Sequence, residues 1–214
     1  MSTKTPEQPT RRYDPDRRDR IIDACLDVIA EVGVAGTSHR RVAESADVPL
    51  GSMTYHFTGM GELLHEAFTR FAVAFSDRFT VRMAAAVDRD AAIASIVEAV
   101  EGDILNDQRE LVLTQELYTL AARDASFRDI TNAWMVRSRS ALERHFDPAT
   151  ARMLDALIEG LTLHRALDQV IPVSEPQDDN VVRTAIARIT DTRITDTDTD
   201  TDTDTDTDTA GETP

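Results

Sequence analysis

The sequence predicts an all-α protein: an N-terminal three-helix unit containing a helix-turn-helix, a larger helical body, and an acidic tail that does not fold. Three observations carry this. Apolar residues recur at spacings of three and four through residues 14–190, the repeat of helices with one buried face. No segment alternates apolar and polar residues as a half-buried strand would. From Thr195 to Thr209 the chain is an unbroken Thr-Asp alternation, with nothing apolar to bury and like charges that repel. This run looks like the ligands of a calcium loop. However, Thr209 stands where that loop needs Gly and the closing Glu is missing, so 191–214 reads as a solvated, disordered tail.

The elements follow in order. Asp14 is placed to cap the first helix, Pro15 suits its first turn, and Gly33 ends it. Ile21, Ile22, Cys25, Val28, Ile29 and Val32 share one apolar face, which makes Cys25 a buried structural thiol. Thr37 and Ser38 then open a short second helix bearing Val42, Ala43 and Ala46. Ala46-Asp47-Val48 reads as a tight turn, because Asp tolerates left-handed backbone. Pro49 opens a third helix running to about Phe57, so the helix-turn-helix spans 38–57.

On the third helix Met53 and Phe57 lie four apart and can anchor it to the first two. Gly51, Ser52, Thr54 and Tyr55 then project from the opposite arc, with His56 at its flank. Short or planar hydrogen-bonding side chains, beside a glycine that lets the backbone come close, suit phosphate oxygens and base edges. Arg40 and Arg41 on the second helix are placed for the flanking phosphates. Short helices with a polar face are also common structural elements, so spacing alone leaves both readings open.

Charge must be divided before it is interpreted. The 214 residues carry a formal −16, which argues against a nucleic-acid partner. Residues 191–214 account for much of it, with eight Asp and Glu212 against Arg193 alone. Residues 1–60 are nearly neutral, and Arg11, Arg12, Arg17, Arg18 and Arg20 cluster there. The objection therefore weakens. With one Cys there is no internal disulfide framework, and no apolar run is long enough to span a bilayer. The first 20 residues are polar and hold Pro6, Pro9 and Pro15, unlike a signal peptide. A cytoplasmic protein with no membrane partner is expected.

At this point the residues resemble a family. Arg20 to Phe75 is similar to the N-terminal domain of TetR-type transcriptional regulators, named for the tetracycline repressor. The likeness rests on the helix-one pattern ending in Gly33, the Thr37-Ser38 opening and the small-residue turn. Gly51-Ser52-Met53, Tyr55-His56-Phe57 and Leu63-Leu64, where the family begins its long fourth helix, complete it. Asp47 stands where the family usually has Gly, Met60 where it usually has a phosphate-contacting Lys, and Thr54 where Tyr is frequent. The resemblance implies a DNA-binding domain over 15–75 and a ligand-binding and dimerisation domain over 76–190. It implies a homodimer that pairs its last two helices with their symmetry mates, binds a palindromic operator, and answers a small-molecule effector held between helices four to seven. Its DNA-binding residues would be Thr37, Ser38, Arg40, Arg41, Gly51, Ser52, Thr54, Tyr55 and His56. Repressor is the expected role and activator the variant. A helical carrier or enzyme with a vestigial head is the rival that Met60 and the acidic balance favour.

In the body, residues 60–87 read as a long helix with Phe68, Phe71, Phe75 and Phe79 in one stripe, either core or the wall of an apolar cavity. Helices over 91–105, 108–123, 125–146, 149–168 and about 178–190 follow, with Pro172 and Pro176 before the last. Phe68, Phe71, Phe75, Tyr118, Trp134 and Met135 are the candidate pocket lining. Gly160, within a leucine-rich helix, would permit close helix approach. No catalytic residue, metal or cofactor is expected. His39, His56, His65, His145 and His164 lack ligand spacing, and there is neither a phosphate-cradling glycine loop nor a nucleophile elbow.

Overall fold

The computed structural model describes residues 14–103, 107–168 and 181–191. Among these the chain forms nine α-helices and no strand. They are α1 (Arg17–Gly36), α2 (His39–Ser45), α3 (Gly51–His56), α4 (Met60–Ala85), α5 (Arg89–Glu98, continued by a wider turn over Ala99–Asp103), α6 (Gln108–Ala121), α7 (Ala125–Leu142), α8 (Pro148–Asp168) and α9 (Val181–Thr190). The expectations for Arg11, Arg12, Pro172, Pro176 and the Thr-Asp tail lie outside the described residues.

The expected apolar positions explain the first core. Ile21, Ile22, Cys25, Val28 and Ile29 of α1 meet Val42 and Ala43 of α2, Met53 of α3, and Leu63, Leu64, Phe68 and Phe71 of α4. Leu113 and Leu117 of α6 and Phe127 and Ile130 of α7 close it from the body side. Cys25 is fully enclosed, and burial pushes its thiol up to about 12, the state of an inert packing residue. A second core gathers Phe79 and Met83 of α4 with Ile96 of α5, Leu142 of α7, Leu154 and Ile158 of α8, and Ile186 of α9. Helix α4 contributes to both, and residues 75–76, the expected domain boundary, lie within it.

Several element ends differ from expectation. Helix α1 begins at Arg17, not beside Asp14, because the Asp14 carboxylate accepts the Asp16 N–H at 3.2 Å and pairs with Arg20 at 2.8 Å. Gly33 breaks this helix with φ 69° and ψ 171°, after which one further turn runs to Gly36. Helix α3 starts at Gly51, two residues after Pro49, whose carbonyl accepts the Ser52 N–H at 2.8 Å. Helix α7 stops at Leu142, because the chain must turn for Phe146 to enter the second core.

Four aspartates set the starts of the body helices. Asp88, Asp107 and Asp124 accept the N–H of Ala91, Arg109 and Ser126 at 2.8, 2.9 and 2.9 Å, opening α5, α6 and α7. Asp147 opens α8 by accepting from the Ala149 and Thr150 N–H groups at 3.0 Å each. Its hydrogen bonds with Thr150 hold its carboxyl below the ordinary range. Each such cap is worth ~1 kcal/mol to its helix.

Candidate nucleic-acid interface and effector cavity

The turn between α2 and α3 has the geometry that its residues dictate. Ser38 caps α2 by accepting the Arg41 N–H at 3.4 Å. Asp47 adopts φ 51°, and the following Val48 N–H donates to the Ala43 carbonyl at 3.0 Å, closing the end of α2. The left-handed position is filled by a residue that tolerates it. Thr37 donates its hydroxyl to the Gly33 carbonyl at 2.8 Å, so its proton is already used locally.

Met53 and Phe57 are buried and hold α3 against the first core. The arc opposite is exposed at Gly51, Thr54 and Tyr55, and Tyr55 is 83% accessible. The Tyr55 ring stands edge-on against His56, 4.9 Å between centroids, which braces its direction. Thr54 donates its hydroxyl to the Gly51 carbonyl at 3.2 Å. Ser52 is the correction. Its side chain is buried at 8% exposure, because it follows Gly51 onto the flank that meets the core beside Met53. The outward set is therefore Gly51, Thr54 and Tyr55, with His56 half-exposed.

Cations near this surface fall into two groups. Arg17 and Arg20 pair with Asp14, and Arg18 pairs with Glu66 while lying over the Phe57 ring at 5.0 Å. These arginines fasten α1 to its surroundings. Arg40 and Arg41 are exposed and have no ion pair among the described residues.

A residue that the sequence reading missed sits at the start of α4. Glu62 accepts the Thr58 N–H at 2.7 Å and the Thr58 hydroxyl at 2.6 Å, and these bonds hold its carboxyl below the ordinary range. The arrangement is a capping box displaced by one residue, legible as Thr58 with Glu62 four positions on. Met60, at the usual cation position, is half-buried against the first core.

The body holds a cavity of about 140 Å³ walled by α4, α6, α7 and α8. The resemblance places it among helices four to seven; α5 takes no part, because it packs into the second core, and α8 joins the wall. The structure brings Phe75, Tyr118, Trp134 and Met135 together around this space. Phe68 and Phe71 do not reach it. They lie in the first core, where the Phe68 ring meets Phe127 edge-on at 6.0 Å. Phe79 joins the wall instead, and α8 adds Asp155, Glu159 and Thr162, none of which were anticipated. Burial pushes the Asp155 carboxyl up to about 6, against the pull of Arg139 at 3.8 Å. Burial, and then the Glu159 carboxylate, pushes the Tyr118 hydroxyl well above its ordinary range. On the outer side of α8, Met153 and Leu167 are exposed, seven residues either side of Gly160, which has open space around it, and Arg152, Glu159 and His164 are exposed on the same helix. No described helix is long and apolar enough to cross a membrane.

Family models match both parts of the chain. Residues 21–67 match the model for bacterial regulatory proteins of the tetR family, and residues 87–192 match the tetracyclin repressor-like C-terminal domain. The solved structure of SCO7518 from Streptomyces coelicolor A3(2) is 56% identical, with a TM-score of 0.75 over 83% of this chain and all of that one. The multidrug binding protein EbrR, solved with ethidium, is 34% identical, with a TM-score of 0.62 over 83% of this chain and 99% of its own. The HTH-type transcriptional regulator PksA of Bacillus subtilis (strain 168) is 27% identical over 72% of this chain and 80% of PksA. The curated relatives are covered over 59–80% of their own lengths.

Proposed function

Because the chain belongs to the TetR family of transcriptional regulators, we propose that it is a homodimeric cytoplasmic repressor. It leaves a palindromic operator when a small organic effector enters the α4-α6-α7-α8 cavity. Residues 15–75 form the DNA-binding part and 76–190 the regulatory and dimerising part. The observation that carries this is α3. Met53 and Phe57 are sunk in the core, while Tyr55, on the same two turns, is 83% accessible. A helix so anchored presents Gly51, Thr54, Tyr55 and His56 to a major groove, with Arg40 and Arg41 beside them for phosphates. The exposed Met153 and Leu167 either side of Gly160 support a second copy on the outer side of α8. Two-fold symmetry would set two recognition helices one helical turn or more apart. EbrR has been solved with several small molecules, which supports a small-molecule effector for this relative as well.

A second reading is a helical carrier or enzyme with a vestigial head. Glu62 favours it, since it places a carboxylate and a satisfied amide where a phosphate would approach α4. Fluorescence anisotropy with the DNA upstream of the chain's own gene decides between them. Saturable binding that outcompetes unrelated DNA at fixed salt is expected. Equal weak affinity for both DNAs overturns the regulator reading.

A further inference from the structure

We propose that the cavity takes an organic cation bearing a fused aromatic ring, with Glu159 and Asp155 reading its charge. This rests on the regulator reading for its consequence, but its chemistry comes from the cavity wall alone. Three rings gather there. The Phe75 and Trp134 centroids lie 4.7 Å apart, and Tyr118 stacks on Trp134 at 6.4 Å with 16° between planes. Such faces are electron-rich and attract a cation.

The charged residues on the wall are two acids, Asp155 and Glu159, and no base. They stand four apart on α8, one turn, so both lie on one side; Asp155 is half-buried, and Glu159 is exposed and accepts a hydrogen bond from the Tyr118 hydroxyl. Each raises the cost of ionising its neighbours: Glu159 raises Asp155, and both raise Tyr118. Arg139 reaches Asp155 at 3.8 Å and spends its Nε–H on the Met135 carbonyl at 3.0 Å, while Arg78 lies over the Phe75 ring at 5.1 Å with its charge paired to Glu110 at 2.6 Å. With Arg78 offset by Glu110, Asp155 and Glu159 outnumber the one remaining guanidinium.

Two further wall groups ask for a polar partner. The Thr114 and Thr162 hydroxyls are buried without any hydrogen bond. Buried polar groups are normally satisfied, so unpaired hydroxyls in an aromatic cavity mark where a polar substituent fits. The volume, about 140 Å³, is near that of an engineered cavity that admits benzene. A ligand with two or more fused rings must therefore part the helices to enter, and that coupling is what an effector requires.

The test uses the full chain without DNA and three bicyclic probes of nearly one shape. These are N-methylquinolinium (a permanent cation), methylnaphthalene (neutral) and naphthoate (an anion), titrated while Trp134 fluorescence is followed. The cation is expected to bind at least tenfold more tightly than the neutral probe, and the anion not to bind. Glu159→Gln should lower cation affinity about tenfold and leave the neutral probe within twofold. Equal affinity for cation and neutral probe, or preference for the anion, overturns the proposal in the unmodified protein, whatever the variant does. A variant that weakens both probes alike also overturns it. Operator binding by the same protein without any probe tests the regulator reading separately. If it persists while the cation fails, only the ligand class is wrong. If it is absent, the regulator reading falls and the cavity's preference still stands or fails on the probes.

Discussion

Replacing Gly33 by alanine should destabilise the protein by about 1–2 kcal/mol. Its φ of 69° and ψ of 171° lie where side chains with a Cβ are almost never found, and holding a residue there costs about 1–3 kcal/mol. Alanine returns about 0.4–1 kcal/mol by stiffening the unfolded chain. An added Cβ would also stand 2.6 Å from the Glu116 Oε1 on α6, but that atom ends a flexible side chain and can move. Backbone strain is therefore the larger part. Thermal unfolding at fixed protein concentration should show Tm lower by roughly 2–8 °C. Repeating the measurement in a Glu116→Ala background separates the two contributions, because only the clash disappears there. If Gly33→Ala leaves Tm unchanged, the break at the end of α1 is not the conformation in solution. If the loss vanishes in the Glu116→Ala background, the clash dominates and the strain argument fails.

Three other outcomes follow from the same geometry. Tyr55→Ala should weaken operator binding by about 1–3 kcal/mol with stability within about 0.5 kcal/mol, whereas Met53→Ala should cost about 2–5 kcal/mol of stability. Anisotropy and denaturant unfolding on both variants check this, and a Tyr55→Ala protein with full affinity would remove Tyr55 from the interface. Met60→Lys should tighten DNA binding and steepen the log-log salt dependence by ~0.9, read from titrations at several salt concentrations; an unchanged slope places α4 away from phosphate. Asp155 is protonated more readily folded, at about 6, than at its ordinary value of 3.8, so its ionisation opposes folding. Stability should fall as pH rises between those values, and Asp155→Asn should flatten that fall in Tm scans. A wild-type Tm that rises relative to the variant over the same window contradicts the burial of Asp155.

Periodicity and turn chemistry made most of the fold legible. The apolar positions of α1 to α4 are buried or half-buried where the spacing put them except Val32, which the break at Gly33 leaves 36% exposed, and Asp47 is left-handed as its residue type suggests. The Asp caps of α5 to α8 were equally readable, since Asp sits just before each helix, but apolar spacing alone does not use them. What failed depended on tertiary partners. A six-residue helix gives too few positions to decide which flank meets the core, so Ser52 looked exposed and is buried. The Phe stripe could not divide itself. Phe68 and Phe71 face α1 and α7 while Phe75 and Phe79 face the cavity, a split set by where the other helices cross α4. Asp155 and Glu159 were invisible as wall residues because nothing in α8 alone says which side meets α6 and α7.

Helix α4 is also a lever. Its 26 unbroken residues make a rod about 39 Å long. Leu63 and Leu64 clamp one end beside α3, and Phe79 and Met83 clamp the other. Phe75 and Phe79, near the far clamp, are what an entering ligand would push. Swinging the rod by about 5° around Phe79 carries the Leu63 end through about 2 Å. In a two-fold pair the two heads would part or close by about 4 Å, close to the ~3.4 Å rise of one base pair. Because Leu63 and Leu64 are packed in the first core, such a tilt would slide that core against α6 and α7, and it would put two recognition helices out of step with DNA by about one rung.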